Sequence, residues 1–373
     1  MNHQFIHACA GSGKTRHIID HCARISLDSR KLIITLTTAG QDEIQGRLQQ
    51  NARRLTPMPD VTGWYSFLIN HVLRPYLPLV FPKQLISGFI FDAGEERLSL
   101  RYKKKNDPRR YFSKADMVYK DYIEELAAHV MNRAGGLVEN RLGRIYDEII
   151  IDEAQDISRS GLDVVERLLR QQQVRCLLTA DSRQSLLDSS LSSKKNKSAD
   201  RQNLIHWYRR LENEGYLTVV EKAETYRFNQ AIASFSDAIF TNILGFTPTV
   251  SRMKERSGHD GVFLVAKEDL DDYHAAFNPT VLRASKRSWE EQEMLEPINF
   301  GVSKGRTYPR VLILATVPIQ DFCLKGKKLK DKSACAFYVA VTRAQYSVAI
   351  AIDKSRNALE KAAPNHLPIW RPQ

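Results

Sequence analysis

The sequence predicts an α/β protein with two tandem domains, and three observations carry that expectation. The chain has 373 residues, of which 43% are hydrophobic, more than one core usually absorbs, because single cores rarely grow past about 250–300 residues. Near the start, HQFIHACAGSGKT (His3–Thr15) reads as a short apolar strand, a turn of small residues and then an amphipathic helix from Lys14 to about Ile25. The second half holds four apolar runs with helix-like segments between them, at Val262–Ala266, Val281–Ala284, Arg310–Thr316 and Ser347–Ile352. Apolar runs alternating with helices are the pattern of a parallel sheet with helical crossovers.

Composition narrows the function classes. A formal net charge of +12 attracts polyanions, nucleic acid first and anionic lipid second. The five cysteines (Cys9, Cys22, Cys176, Cys323, Cys335) are odd in number, far apart and include no C-x-x-C pair. Neither a zinc ribbon nor a disulfide framework is expected, and a reducing cytoplasm fits best. No apolar run approaches the roughly 18 residues of a membrane span, and the polar start MNHQFIH lacks a secretory signal's apolar stretch. A cytoplasmic protein with no membrane partner is expected.

The opening loop has what a phosphate-binding turn needs. In ACAGSGKT (Ala8–Thr15), Gly11 and Gly13 let the backbone N–H groups of Ala10, Gly11, Ser12 and Gly13 close around phosphates at a helix start, where the macrodipole also favours negative charge. Lys14 reaches toward the β- and γ-phosphates, and Thr15 offers its hydroxyl to Mg²⁺. Ala8 stands where the consensus has its first glycine, a small change. A phosphate loop alone names no reaction and needs a carboxylate partner, which DEIIIDEAQD from Asp147 supplies. Glu148–Ile151 read as a buried strand ending in Asp152 and Glu153. Side chains at such strand ends face the ligand crevice, so Asp152 is expected to hold Mg²⁺ and Glu153 to polarise water.

These motifs, with those that follow, resemble the UvrD/Rep-like superfamily 1 helicases in order along nearly the whole chain. AGSGKTR, TLTTAGQDEI (Thr35–Ile44), VTGWYSF (Val61–Phe67), DEAQD, LLTADSRQS (Leu177–Ser185), ETYRF (Glu224–Phe228), SKGRTYPRVLI (Ser303–Ile313) and YVAVTRAQ (Tyr338–Gln345) are similar to successive family motifs. The resemblance implies two tandem RecA-like P-loop NTPase domains, 1–220 and 221–373, with a small, mostly helical insert at about 80–140. It implies ATP and Mg²⁺ between the two halves, with Lys14, Thr15, Asp152, Glu153 and the γ-phosphate sensor Gln184 from the first and Arg227 and Arg343 from the second. Tyr226 would stack on adenine, Arg16 would contact the base, and Gly305 would lie against the nucleotide. Thr37, Trp64 and Tyr65 fall in motifs that contact DNA, Trp64 being equally readable as a core residue. In YVAVTRAQ, Arg343 is expected after a short β-like run and just before a helix.

The implied activity is ATP-driven translocation on single-stranded or partly duplex DNA, with 3′→5′ helicase polarity. The alternative is an ATPase switch that senses DNA ends or nucleotide and regulates a partner such as a nuclease, since the short build also resembles, loosely, the helicase-like subunits of Gabija-type anti-phage systems.

The chain departs from the family at identifiable places. The family usually has an adenine-reading glutamine well upstream of the loop, and Gln4 lies too close to be that residue. Thr307 stands in place of a ribose-contacting glutamate, and Gly301 in place of a common histidine. Only about seventy residues separate ETYRF from SKG, so the family's large regulatory subdomain is expected to be missing. After Gln184, the Ser/Lys-rich composition at about Ser189–Ser198 reads as a mobile loop or a cationic strand guide. RYKKKNDPRRY (Arg101–Tyr111) leaves two readings open: a solvated charged face, or a phosphate-and-base contact through Lys103, Lys104 and Lys105 with Tyr102 and Tyr111 interleaved. The stretch FSKADMVYKDYIEELAAHVM after it reads as helix.

Overall fold

The computed structural model describes residues 2–24, 29–55, 57–91, 94, 99–186, 203–240, 245–362 and 367–372. The Ser/Lys-rich stretch at Ser189–Ser198 lies outside these residues. The chain divides into two compact units: Met1–His7, Lys14–Ala180 and Leu187–Val220 in the first, and Ala8–Gly13, Asp181–Leu186 and Glu221–Gln373 in the second.

In the first unit, strands β1 (His3–Ala8), β2 (Lys31–Thr35), β3 (Asp60–Gly63), β6 (Glu148–Ile151), β7 (Arg175–Ala180) and β8 (Leu217–Lys222) form one sheet in the order β3-β2-β6-β7-β1-β8, with the ribbon strands β4 (Gly88–Ile90) and β5 (Met117–Tyr119) apart from it. The pairings from β3 through β1 are parallel. Every residue of KLIIT and EIII is buried, as a strand covered on both faces requires. Helix α1 (Lys14–Arg24) turns Ile18, Ile19 and Cys22 inward. After α2 (Thr38–Gln50) come a helical turn at Trp64–Phe67, directly after β3, then helices α3 (Ile123–Ala134), α4 (Leu137–Ile145), α5 (Arg159–Gln171) and α6 (Leu204–Asn213). The stretch read as one long helix is helical only from the 3-10 turn Lys120–Tyr122 into α3, since Met117–Tyr119 pairs with Gly88–Ile90 as the parallel ribbon. Asp116, in the left-handed region at φ 56°, makes the turn into β5, which helix periodicity could not reveal.

The second unit has a five-stranded, all-parallel sheet in the order β11-β15-β14-β12-β13, built from β11 (Gly261–Ala266), β12 (Thr280–Arg283), β13 (Ile298–Asn299), β14 (Tyr308–Leu314) and β15 (Ala344–Ile352), with β9 (Glu224–Thr225) and β10 (Val250–Ser251) as a separate pair. The four predicted apolar runs supply β11, β12, β14 and β15. Their alternate faces pack into two clusters, one including Leu264, Val311, Ile313, Val348 and Ile350 and the other Val265, Leu312, Leu314, Ala349 and Ala351. Helices α7 (Gln230–Ala238), α8 (Leu270–Phe277), α9 (Val317–Lys325), α10 (Asp331–Val341) and α11 (Arg356–Ala362) complete the unit.

The expectation around Arg343 is corrected: YVAV ends helix α10, and the residue leads into strand β15, not into a helix. Phe337–Val341 are all buried, and a helix apolar all round carries no stripe to distinguish it from a strand. The fold is therefore mixed α/β, with a parallel sheet in each unit.

Candidate nucleotide and nucleic-acid site residues

In the first unit, the sheet places carboxylates at the carboxyl end of β6. Asp152 follows that strand directly and is buried. Its Oδ1 accepts from the Glu153 backbone N–H (2.9 Å) and from the Thr179 hydroxyl, which leaves Oδ2 as the oxygen able to take a cation. Burial first, and then the Glu153 charge, push the Asp152 carboxyl above the usual carboxylate range, while Thr179 and the Lys14 ammonium pull it back. Lys14 and Thr15 occupy the first turn of α1, where backbone N–H groups have no helical partner. Glu153 has left-handed backbone (φ 55°) and accepts from the Gln155 amide through Oε2.

The far end of the same helix–strand pair is tied down as well. His21, two turns along α1 from Lys14, contacts both oxygens of Glu148 at 3.0 Å, and Arg175 adds a 2.9 Å ion pair. Burial alone would raise the Glu148 carboxyl, but His21 and Arg175 hold it below the usual range. The distance between α1 and β6 is thus set at the end opposite Lys14 and Asp152.

The remaining first-unit residues are spread out. Thr37 caps α2, its hydroxyl accepting from Gly40 N–H at 3.0 Å, and is exposed. Arg16 is exposed, 3.8 Å from Asp20. Trp64 proves to be a core residue: it is 1% exposed and its indole N–H donates to Glu124 Oε1 at 2.7 Å, so its ring offers no stacking face. Tyr65, beside it, is half-buried.

In RYKKKNDPRRY, Arg110 and Tyr111 turn inward while Tyr102, Lys104 and Lys105 are exposed and Lys103 is half-buried. Arg110 donates to Glu125 at 2.8 and 3.0 Å and to the carbonyls of Leu100, Arg101 and Lys103. The segment is therefore divided, with a buried anchor beneath an exposed lysine run, and Tyr111 is not a surface ring.

In the second unit, the loop Ala8–Gly13 is held by backbone contacts. The Ala10 N–H donates to the Tyr338 hydroxyl at 3.3 Å, and the Tyr226 N–H donates to the Gly11 carbonyl at 3.0 Å. Gly11 (φ 74°) has no room for a side chain: a Cβ would lie 2.5 Å from that of Arg227 and 2.6 Å from the Thr225 hydroxyl oxygen. Gly13 also has positive φ, 78°. The Ser12 hydroxyl is buried with no hydrogen-bond partner, an orphan that a phosphate oxygen would satisfy.

A buried network follows. Asp181 takes Arg183 Nε (3.1 Å), Gln184 Nε2 (2.9 Å) and the Tyr338 hydroxyl (3.1 Å), and Arg183 continues to Asp237 at 3.0 Å. Arg343, 1% exposed, donates to the carbonyls of Val339 (3.0 Å) and Arg306 (3.2 Å) and to Gln184 Oε1 (3.3 Å). Gln184 and Arg343 are thus brought together. Arg227 donates to the Thr342 carbonyl at 3.1 Å. Tyr226 presents a 62% exposed ring whose hydroxyl donates to Glu224. Gly305 (φ 84°) has open space around it. Sequence reading missed Asp181, Arg183 and Tyr338; the first two were signalled by a charged pair inside LLTADSRQS, the third only by its place at the start of YVAVTRAQ.

Among the described residues, no group of three or more His, Cys, Asp or Glu side chains could hold a metal ion. One carboxylate and one hydroxyl, Asp152 and Thr15, match what Mg²⁺ takes from protein when substrate phosphates complete its shell. Among the described residues, no helix is long and apolar enough to cross a membrane.

No protein-family model matches the chain, and no curated protein matches it. Among solved structures, it is similar to the crystal structure of arterivirus nonstructural protein 10 (helicase), with TM-score 0.48 and 15% identity over 94% of this chain and 59% of that one. It is also similar to the complex of arterivirus nonstructural protein 10 (helicase) with DNA, with TM-score 0.45 and 15% identity over 94% of this chain and 61% of that one. The chain thus spans about three fifths of the length of these structures.

Proposed function

We propose that the chain is an ATP-dependent translocase on single-stranded DNA, a helicase of 3′→5′ polarity as the UvrD/Rep-like resemblance implies. The observation that carries the reading is the pairing, within one unit, of Lys14 and Thr15 at the start of α1 with a buried carboxylate, Asp152, at the carboxyl end of β6. The glycine-bearing loop between β1 and α1, with its orphan Ser12 hydroxyl, supports phosphate as the ligand.

In this reading Lys14 binds the β- and γ-phosphates, and Thr15 and Asp152 hold Mg²⁺, which when bound neutralises charge on the phosphate oxygens. Glu153 accepts the proton of the attacking water. Gln184 reads the γ-phosphate, Arg227 and Arg343 stabilise charge as the bond to the leaving group breaks, and Tyr226 stacks on the base. The net charge of +12 supports a polyanionic track.

Strand displacement tests the proposal. With ATP and Mg²⁺, a duplex bearing a 3′ single-stranded tail is expected to be separated and one bearing a 5′ tail left paired. Hydrolysis stimulated by single strands with neither duplex separated would replace the helicase with the ATPase switch acting through a partner such as a nuclease.

A further inference from the structure

Phe91, Lys120 and Tyr65 bring two rings and a cation together in the first unit, outside every motif except that of Tyr65. We propose that they form a stacking platform for a single-stranded nucleic acid. The proposal rests on the translocase reading and names a place where the strand is gripped.

The β4/β5 ribbon builds the platform. Ile90 pairs with Tyr119, so the next register position sets Phe91 beside Lys120. The Lys120 ammonium lies 5.9 Å from the centre of the Phe91 ring and 5.8 Å from that of Tyr65. One cation is therefore bracketed by rings from two separate segments. Phe89 continues the aromatic side, its ring 6.4 Å from that of Phe91.

Phe91 is 75% exposed, and a large apolar ring held at the surface beside a cation is more informative than a lone exposed aliphatic residue. Because Trp64 is committed to the core by Glu124, Tyr65 is the ring that VTGWYSF keeps near the surface.

The chemistry selects the occupant. Every base has a π-face, so surface rings hold any sequence, and an ammonium among them meets the phosphate that follows each base. Glu124 first and then Asp121 place two opposing carboxyl groups near Tyr65, and Glu124 also acts on Lys120. The platform therefore gains more from stacking than from field strength, which favours unpaired bases over a duplex, whose bases are already stacked.

Fluorescence anisotropy with labelled dT and rU oligomers across a salt series tests this, with circular dichroism confirming that each variant is folded. Phe91→Ala is expected to weaken binding about tenfold, the loss typical of one stacked base, with the salt slope unchanged, and Phe91→Trp to restore it. Lys120→Gln is expected to lower the salt slope by about one. Whichever oligomer loses affinity names the track as DNA, RNA or both. If the wild type binds and Phe91→Ala and Lys120→Gln match it, the platform is overturned and the translocase reading stands. If the wild type binds neither oligomer, both fall.

Discussion

Glu153 adopts backbone that costs a non-glycine residue about 1–2 kcal/mol, and such strain persists where the surroundings impose it, often at functional turns. Glu153→Gln preserves the shape and removes the base. We expect nucleotide binding to survive and phosphate release to fall by about 10²–10⁴; equal turnover would move the water-activating role elsewhere. Arg343→Lys is expected to lower phosphate release well below the wild-type rate, because an ammonium cannot reproduce the planar fork that donates to Val339, Arg306 and Gln184 and matches phosphate oxygens. Phosphate release near the wild-type rate in Arg343→Lys would remove Arg343 from the catalytic set.

His3 gives a pH test. It is buried, its Nδ1 accepts from Cys176 N–H at 3.0 Å, and burial lowers its pKa from 6.5 to about 4. The unfolded chain is protonated first, so stability is full above about pH 6.5 and declines as pH falls toward 4, by on the order of 3 kcal/mol. Urea unfolding at pH 7.5 and 4.5 should show this, and His3→Asn should shrink the difference; an unchanged difference would assign it to other groups.

The placement of Lys14 and Thr15 at a helix start and of Asp152 at a strand end was legible in the sequence, because it depends on a few neighbours. Trp64 was not, because its fate depends on Glu124, sixty positions away. Tyr338 was not either, since its partner Asp181 is 157 positions away.

At the scale of elements, the insert depends on one buried ion pair. Arg110 and Glu125 are both nearly inaccessible, and removing one partner of such a pair leaves the other charge buried, at a cost of about 3–5 kcal/mol. Arg110→Ala is therefore expected to lower stability by that amount in thermal or urea unfolding. Lys104→Ala, on the exposed run above it, should change stability by less than about 0.5 kcal/mol. Similar small losses in both would mean that the anchor contributes nothing. Arg110 and Lys104 look alike in RYKKKNDPRRY, and what separates them is helix α3, which delivers Glu125 beneath the segment. The four second-half strands were legible because fully buried strands are continuous apolar runs. Helix α10 defeated the same rule by being as apolar as they are.

At the scale of the whole molecule, the parallel α/β class followed from the spacing of apolar runs, and the positive charge pointed to a polyanionic partner. Nucleic-acid affinity should therefore fall steeply with salt, as counterion release requires. The measurement that bears most directly on the account is ATP hydrolysis with and without single-stranded DNA, in the wild type and in folded Lys14→Ala. Turnover is expected to rise when single strands are added and to vanish in Lys14→Ala. Near-normal turnover by the folded variant would overturn the phosphate-loop assignment, and turnover indifferent to single strands would overturn the translocase.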